Sequence, residues 1–217
     1  MSRIDSYIPA LRFDALTRLY DPIVRFTTRE RLFKRRLLIQ AEIRAGHSVL
    51  DLGCGTGTLA IDCARAHPGA HVTGVDGDPN ALAIAEAKVA RARSPVRLVH
   101  GFADALPWPD DHFDRVLSSL MFHHLTLDAK RRAFREIVRI LRRGGQLHVA
   151  DWGAPTSTRM RLAFLPVQLL DGFETTADNM RGAIPSLLAD AGLAGVCVTK
   201  NIATMFGTLA LLRAFKP

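Results

Sequence analysis

The stretch Val49-Leu50-Asp51-Leu52-Gly53-Cys54-Gly55-Thr56-Gly57-Thr58 decides how this chain is read. An apolar run carrying one aspartate reads as a buried strand, and it passes straight into a glycine-rich turn and then a helix. Glycine permits sharp turns and close approaches that any side chain would block, so such a turn at a strand end is a cofactor loop. A dinucleotide site spaces its glycines G-x-G-x-x-G, seats a pyrophosphate on the helix start and places an acid about 20 residues on. Here the spacing is G-x-G-x-G, with Thr58 where the third dinucleotide glycine would stand and Asp51 just ahead of the turn. A carboxylate pointing into the site repels a pyrophosphate and suits an ammonium group, so the expected ligand carries an amine.

Outward from this loop, short β-rich runs alternate with amphipathic stretches, the pattern of a parallel sheet with helices on both faces. The expected strands are 47–52, 71–76, 96–101, 113–118 and 145–151, with helices near 58–66, 79–93 and 128–141. Beyond Trp152 the alternation breaks into an apolar, helix-like segment interrupted by Pro166. A helix over 179–191 stopped by Gly192 and two runs, 196–202 and 205–215, spaced to pair as an antiparallel hairpin, complete the chain. Ahead of the sheet, 10–19 and 23–45 read as two helices parted at Asp21-Pro22. The expected organisation is one domain: a helical extension (1–46), a cofactor-binding core (47–152), a substrate or lid insertion (153–177), and a terminal helix and hairpin (178–217).

The glycine segment resembles the first motif of the class I S-adenosylmethionine-dependent methyltransferases, [DE]-x-G-x-G-x-G, present in full at Asp51 to Gly57. The resemblance implies a doubly wound α/β fold with a seven-stranded, mostly parallel sheet whose last strand is antiparallel. It also implies S-adenosylmethionine as cofactor, S-adenosylhomocysteine as product, and roles by position. Gly53, Cys54, Gly55 and Gly57 would pack on the methionine part of the cofactor. Asp76, at the end of the second strand, would hold the ribose hydroxyls, with Gly77 also at the cofactor; Asp78 or Asn80 reads as the cap of the next helix. The segment Gly101-Phe102-Ala103-Asp104-Ala105-Leu106-Pro107 is similar to the family's adenine-binding segment, with Asp104 on the amino group and the Ala103 amide on a ring nitrogen. Ser118 and Ser119 would lie near the amino-acid end, and Leu19-Tyr20-Asp21 resembles a pair in quinone-pathway enzymes whose tyrosine, here Tyr20, covers the cofactor.

His123 and His124 follow the fourth strand on the carboxyl side of the sheet, where open α/β folds bind ligands. Either is a candidate general base for a hydroxyl or amine acceptor, and either reads equally as a packing residue. Two adjacent histidines have no further ligand at useful spacing, so no metal site is expected. Methyl transfer from a sulfonium requires alignment and exclusion of water more than a dedicated catalytic group.

The composition bounds the rest. The 217 residues are 48% hydrophobic and 23% charged, as in globular proteins. Residues 1–28 lack the continuous apolar core of a secretory signal, no run is long enough to span a membrane, and the three cysteines form no disulfide or zinc pattern. A cytoplasmic location is expected. The net charge of +8 gathers at 25–36 and 130–143, and in the second cluster Arg131, Arg135 and Arg139 form one solvated helix face. The basic amino-terminal helix, including Lys34, Arg35 and Arg36, leaves open a weak contact with an anionic membrane, with solvated surface the simpler reading.

The insertion offers Phe164, Leu165, Leu169, Leu170 and Phe173 with few charges, which suggests an apolar pocket or lid for a small lipophilic or aromatic acceptor. Two rival readings stand beside this one. A nucleic-acid methyltransferase would use the basic clusters, but no RNA-binding module or N-P-P-[YFW] segment is present. A non-catalytic interaction module would show degenerate cofactor motifs, and these are intact. Oligomeric state is not legible.

Overall fold

Residues 29–217 are described by the computed structural model. The elements run α1 (Glu30–Gln40), β1 (Ser48–Leu52), α2 (Thr58–Ala66), β2 (His71–Asp76), α3 (Pro79–Ala92), β3 (Arg97–His100) and β4 (Phe113–Ser119). A 3-10 turn (Phe122–His124) leads into α4 (Leu127–Ile140) and β5 (Leu141–Trp152). Four short helices follow, α5 (Thr158–Ala163), α6 (Leu165–Asp171), α7 (Phe173–Met180) and α8 (Ile184–Asp190), then β6 (Ala194–Thr204) and β7 (Gly207–Phe215).

Side chains alternate along a strand, so each β-run of this chain must bury both faces. Leu50 and Leu52 pack with Phe134, Ile137, Ile140 and Leu188 from α4 and α8. Val49 points the other way, with Phe33 and Leu37 of α1 and Leu59, Ala60 and Cys63 of α2. The sheet between these two cores has seven strands in the order β3-β2-β1-β4-β5-β7-β6. β1 to β5 pair in parallel, and β7 runs antiparallel to both β5 and β6. This is the expected doubly wound sheet, and the chain reverses its winding between β1 and β4, where a crevice opens at the carboxyl ends of the strands.

Three expectations change. The helix expected over 23–45 ends at Gln40 within the described residues, because Glu42 turns to φ +46° and the chain breaks toward Gly46. The helix expected over 179–191 is two: Gly182, at φ +71°, ends the first, and Pro185, which lacks an N–H, sits in the first turn of the second. Pro166 does not interrupt a helix either; it begins α6 after a turn at Phe164. The first predicted helix, 10–19, and Tyr20 lie outside the described residues.

Among the described residues, the charges of the two basic clusters divide between surface and interior. Arg131, Arg135, Arg35 and Arg36 are exposed, as expected of a solvated face. Lys34 is buried and pairs with Glu30 one turn earlier. Lys130 is fully buried, donating to the Thr175 carbonyl at 2.6 Å and Asp178 at 3.2 Å, so it ties α7 to α4 instead of facing water. Arg139 clamps the loop after β3, reaching Glu136, Asp110 and the carbonyls of Leu106 and Trp108.

Candidate functional site

β1 delivers Asp51 to the crevice with Gly74 and Leu117 as its lateral neighbours. The residue is 0% exposed, and among the described residues neither carboxylate oxygen has a hydrogen-bond partner. Burial pushes its pKa up to about 7; the charge of Lys34 opposes the rise, that of Asp76 adds to it, and the Ala60 amide, close by but outside hydrogen-bond geometry, softens it. A buried acceptor pair left without donors costs free energy, which a ligand bearing donors would return.

The turn that follows has its glycines in unlike surroundings. A Cβ on Gly53 would fall 2.3 Å from Met121 Cγ and one on Gly57 would fall 3.0 Å from Ala85 Cβ, so protein already fills those spaces. Gly55, at φ +52°, has nothing within 4 Å of its missing Cβ, and open space begins there. Its N–H donates to Asp76 Oδ2 at 2.7 Å, while Asp76 Oδ1 accepts from the Asp78 N–H at 2.9 Å. Burial raises the Asp76 pKa against the pull of these amides. The Gly77 N–H also acts on it, and since a carboxylate has about four lone-pair positions, Asp76 keeps capacity for a further donor. Asp78 caps α3, accepting from the Asn80 N–H.

Other expected residues are placed with less freedom. The Cys54 side chain turns into the core, where its Sγ would lie 2.9 Å from a Cβ on Gly74, and burial holds its thiol above the ordinary range. Gly77 lies against the Phe102 ring, and Ala103 is half-buried beside it. Asp104 accepts from Arg132 Nε at 3.0 Å, an anchor from α4 that the sequence did not suggest. Ser118 is fully buried with its Oγ unpartnered, and Ser119 is half-buried. The next residue, Leu120, holds φ +52°, a conformation that costs a non-glycine residue and concentrates at functional sites.

The histidine pair sits in the 3-10 turn, and both rings are buried. His123 Nδ1 meets Asp151 Oδ1 at 2.6 Å, and Asp151 also accepts from the Phe122 and Trp152 amides. Burial alone would depress His123; the charge and hydrogen bond of Asp151, then the charge of Asp171, raise it instead. His124 is held well below its ordinary value by burial and by its neighbour. Asp171, at the end of α6, lies 3.6 Å from His123 Nε2 and 3.8 Å from His124 Nδ1. Sequence spacing offered no third partner for this pair; the fold brings one from 47 residues beyond His124, and no local pattern marks it. Asp151, by contrast, ends a strand at the crevice, a position that could have flagged it.

Among the described residues the insertion does not form a closed apolar pocket. Phe164 is buried against Trp152, ring centroids 5.2 Å apart, whereas Leu165, Leu169, Leu170 and Phe173 are exposed and form an apolar surface.

A methyltransferase-domain family model matches residues 49–145. Methyltransferase GfsG of Streptomyces halstedii is 34% identical over 76% of this chain, which spans 57% of that protein. The ubiquinone/menaquinone biosynthesis C-methyltransferase UbiE of Pseudomonas fluorescens is 30% identical over 86% of this chain, which spans 79% of that protein. Among solved structures, a SAM-dependent methyltransferase from Aquifex aeolicus superposes with a TM-score of 0.68 over 94% of this chain and 100% of that one, at 17% identity. The cofactor that defines these enzymes fits the residues present, since it carries an ammonium for a partnerless carboxylate and a ribose diol for Asp76. With its glycine motif intact on a doubly wound sheet and a relative aligned along most of both chains, the protein belongs to the class I S-adenosylmethionine-dependent methyltransferases.

Proposed function

We propose that this chain transfers the methyl group of S-adenosylmethionine to a small lipophilic or aromatic acceptor bearing an ionisable hydroxyl. The observation that carries the cofactor side is Asp51, a carboxylate buried without a partner at the mouth of the glycine turn. Its oxygens take the ammonium of the amino-acid end. The Ser118 hydroxyl lies near that end as a further donor, Asp76 accepts from the ribose hydroxyls, and Gly55 leaves room for the chain between them. Asp104, held by Arg132, keeps its second oxygen for the adenine amino group, and the Ala103 amide serves the ring. When bound, the cofactor supplies a methyl on a positively charged sulfur, a leaving group that needs no protonation. The protein's share is to align the acceptor in line with that methyl and to exclude water, an effect that reaches roughly 7–11 kcal/mol in favourable cases.

The acceptor side is supported by two features. The exposed apolar row Leu165, Leu169, Leu170 and Phe173 lies on the same short helices that bring Asp171 to the histidine pair, so an apolar body and a polar reacting end can be held together. UbiE, named for ubiquinone and menaquinone biosynthesis, acts in quinone chemistry and suggests a hydroxylated ring as the acceptor here. The acceptor's hydroxyl proton is received at the His123–His124–Asp171 cluster. No helix among the described residues is long and apolar enough to cross a membrane; we assign the enzyme to the cytoplasm, meeting its acceptor in solution or at a membrane surface. Arg132, Arg139 and Arg142 are engaged in intramolecular contacts, and the exposed Arg35, Arg36, Arg131 and Arg135 are divided between two helices, which argues against a single nucleic-acid surface.

Transfer of labelled methyl to a panel of reduced quinones, simple phenols, phosphoethanolamine and total RNA tests this reading. Label in the organic-extractable phenolic products is expected. Label confined to RNA or to the amine would overturn the acceptor assignment.

A further inference from the structure

We propose that His123, His124 and Asp171 form a binding site for a divalent first-row metal ion of the zinc or iron(II) class, beside the cofactor crevice. It rests on the same cluster as the proposed function and deepens it: with an ion held by these side chains, the acceptor's oxygen would bind the ion as its anion and its proton would leave to solvent instead of to an imidazole. The three side chains each offer one ligand atom, and all three atoms lie within 4.8 Å of one another. At bond lengths of about 2.1 Å, tetrahedral or octahedral angles put ligand atoms roughly 3.0–3.4 Å apart. Asp171 already stands at 3.6 and 3.8 Å from the two imidazole nitrogens, so a rotamer adjustment closes the site.

Two further facts point to a cation here. His124 is 8% exposed and its Nδ1, the atom aimed at Asp171, has no hydrogen-bond partner among the described residues. A proton on His123 Nε2 could serve Asp171 but would leave that nitrogen orphaned, whereas a metal serves all three donors at once. His123 also has the support that metal-binding imidazoles need. Its Nδ1–H donates to Asp151 at 2.6 Å, which fixes the tautomer with the Nε2 lone pair toward Asp171. Asp151 is in turn held by two backbone amides.

The charge balance agrees. Asp151 and Asp171 bring two negative charges, and the nearby Lys130 is already matched by Asp178 at 3.2 Å. Two imidazoles and one carboxylate leave coordination positions open, the arrangement in which a metal binds a water or a substrate oxygen. Asp171 keeps 24% of its side chain exposed, so an ion has a way in. The ligand class that fits those open positions is an oxygen anion, such as a phenolate.

The test uses untagged full-length protein, stripped with chelator and dialysed against zinc(II) or cobalt(II). Elemental analysis should return one equivalent of metal per chain, and cobalt should show visible bands without thiolate charge transfer. Asp171→Ala and His124→Asn should each abolish stoichiometric binding while unfolding cooperatively, and Asp151→Asn should weaken it about 10- to 100-fold. No metal on the wild type, the same stoichiometry in both ligand variants, or thiolate bands in the cobalt spectrum would overturn the site.

Discussion

Replacing Asp51 by asparagine should stabilise the free protein at pH 8 while weakening its hold on S-adenosylmethionine. The carboxyl is 0% exposed and partnerless, and its pKa rises from an ordinary 3.8 to about 7. Because the folded state binds this proton more tightly than the unfolded state, stability falls as pH rises between those two values and the full penalty stands above the higher one. A shift of about three units at 1.36 kcal/mol each sets that penalty near 4 kcal/mol. Asparagine removes the charge but leaves an amide with desolvation of its own, about 1–3 kcal/mol, so the net gain at pH 8 is about 1–3 kcal/mol. Urea unfolding of cofactor-free protein at pH 5 and pH 8 reads this directly. The variant's advantage should grow by about 2–3 kcal/mol across that interval. Cofactor affinity at pH 8 should drop about 10- to 150-fold, the worth of a charge-assisted pair of roughly 1.5–3 kcal/mol. A variant less stable than wild type at both pH values by the same margin would refute the claim that Asp51 is held at a cost for a ligand.

Three other substitutions probe separate parts of the account. Gly55→Ala places a Cβ in open space at φ +52°, so it should cost about 1 kcal/mol of stability in thermal unfolding yet lower cofactor affinity at least about tenfold by calorimetry. Lys130→Ala leaves the buried Asp178 unpaired and should cost about 3–5 kcal/mol in urea unfolding, with much of it recovered when Asp178→Leu is added. The double change Leu169→Ser with Leu170→Ser touches only exposed side chains and should leave the unfolding midpoint in place, while raising KM several-fold for a lipophilic acceptor and not for a short phenol.

The sheet was legible because its signal is local. Val49 and Leu50 must bury on opposite faces, the turn after Leu52 can be made only by glycine, and β1, β2 and β4 announce themselves with apolar runs. The hairpin of β6 and β7 was visible for the same reason. The helices after β5 were not, since each is under nine residues and depends on tertiary partners such as the Lys130 tie to Asp178. Lys34 and Lys130 read as surface charges because a lysine's burial depends on a partner that sequence spacing does not show, here Glu30 and Asp178. Asp51 and Asp76 were found by position in a motif, whereas Asp171 is brought to the histidines by the path of α6 alone.

The central claim is that the crevice at the ends of β1 and β2 is built for S-adenosylmethionine. Calorimetric titration of the wild type and of Asp76→Ala with S-adenosylmethionine and S-adenosylhomocysteine tests it most directly. The account predicts binding of both ligands by the wild type, weakened by the substitution as the ribose hydroxyls and the Gly55 amide lose their common acceptor. A folded wild-type protein that binds neither ligand, or an Asp76→Ala variant that binds them as well as the wild type, would contradict it.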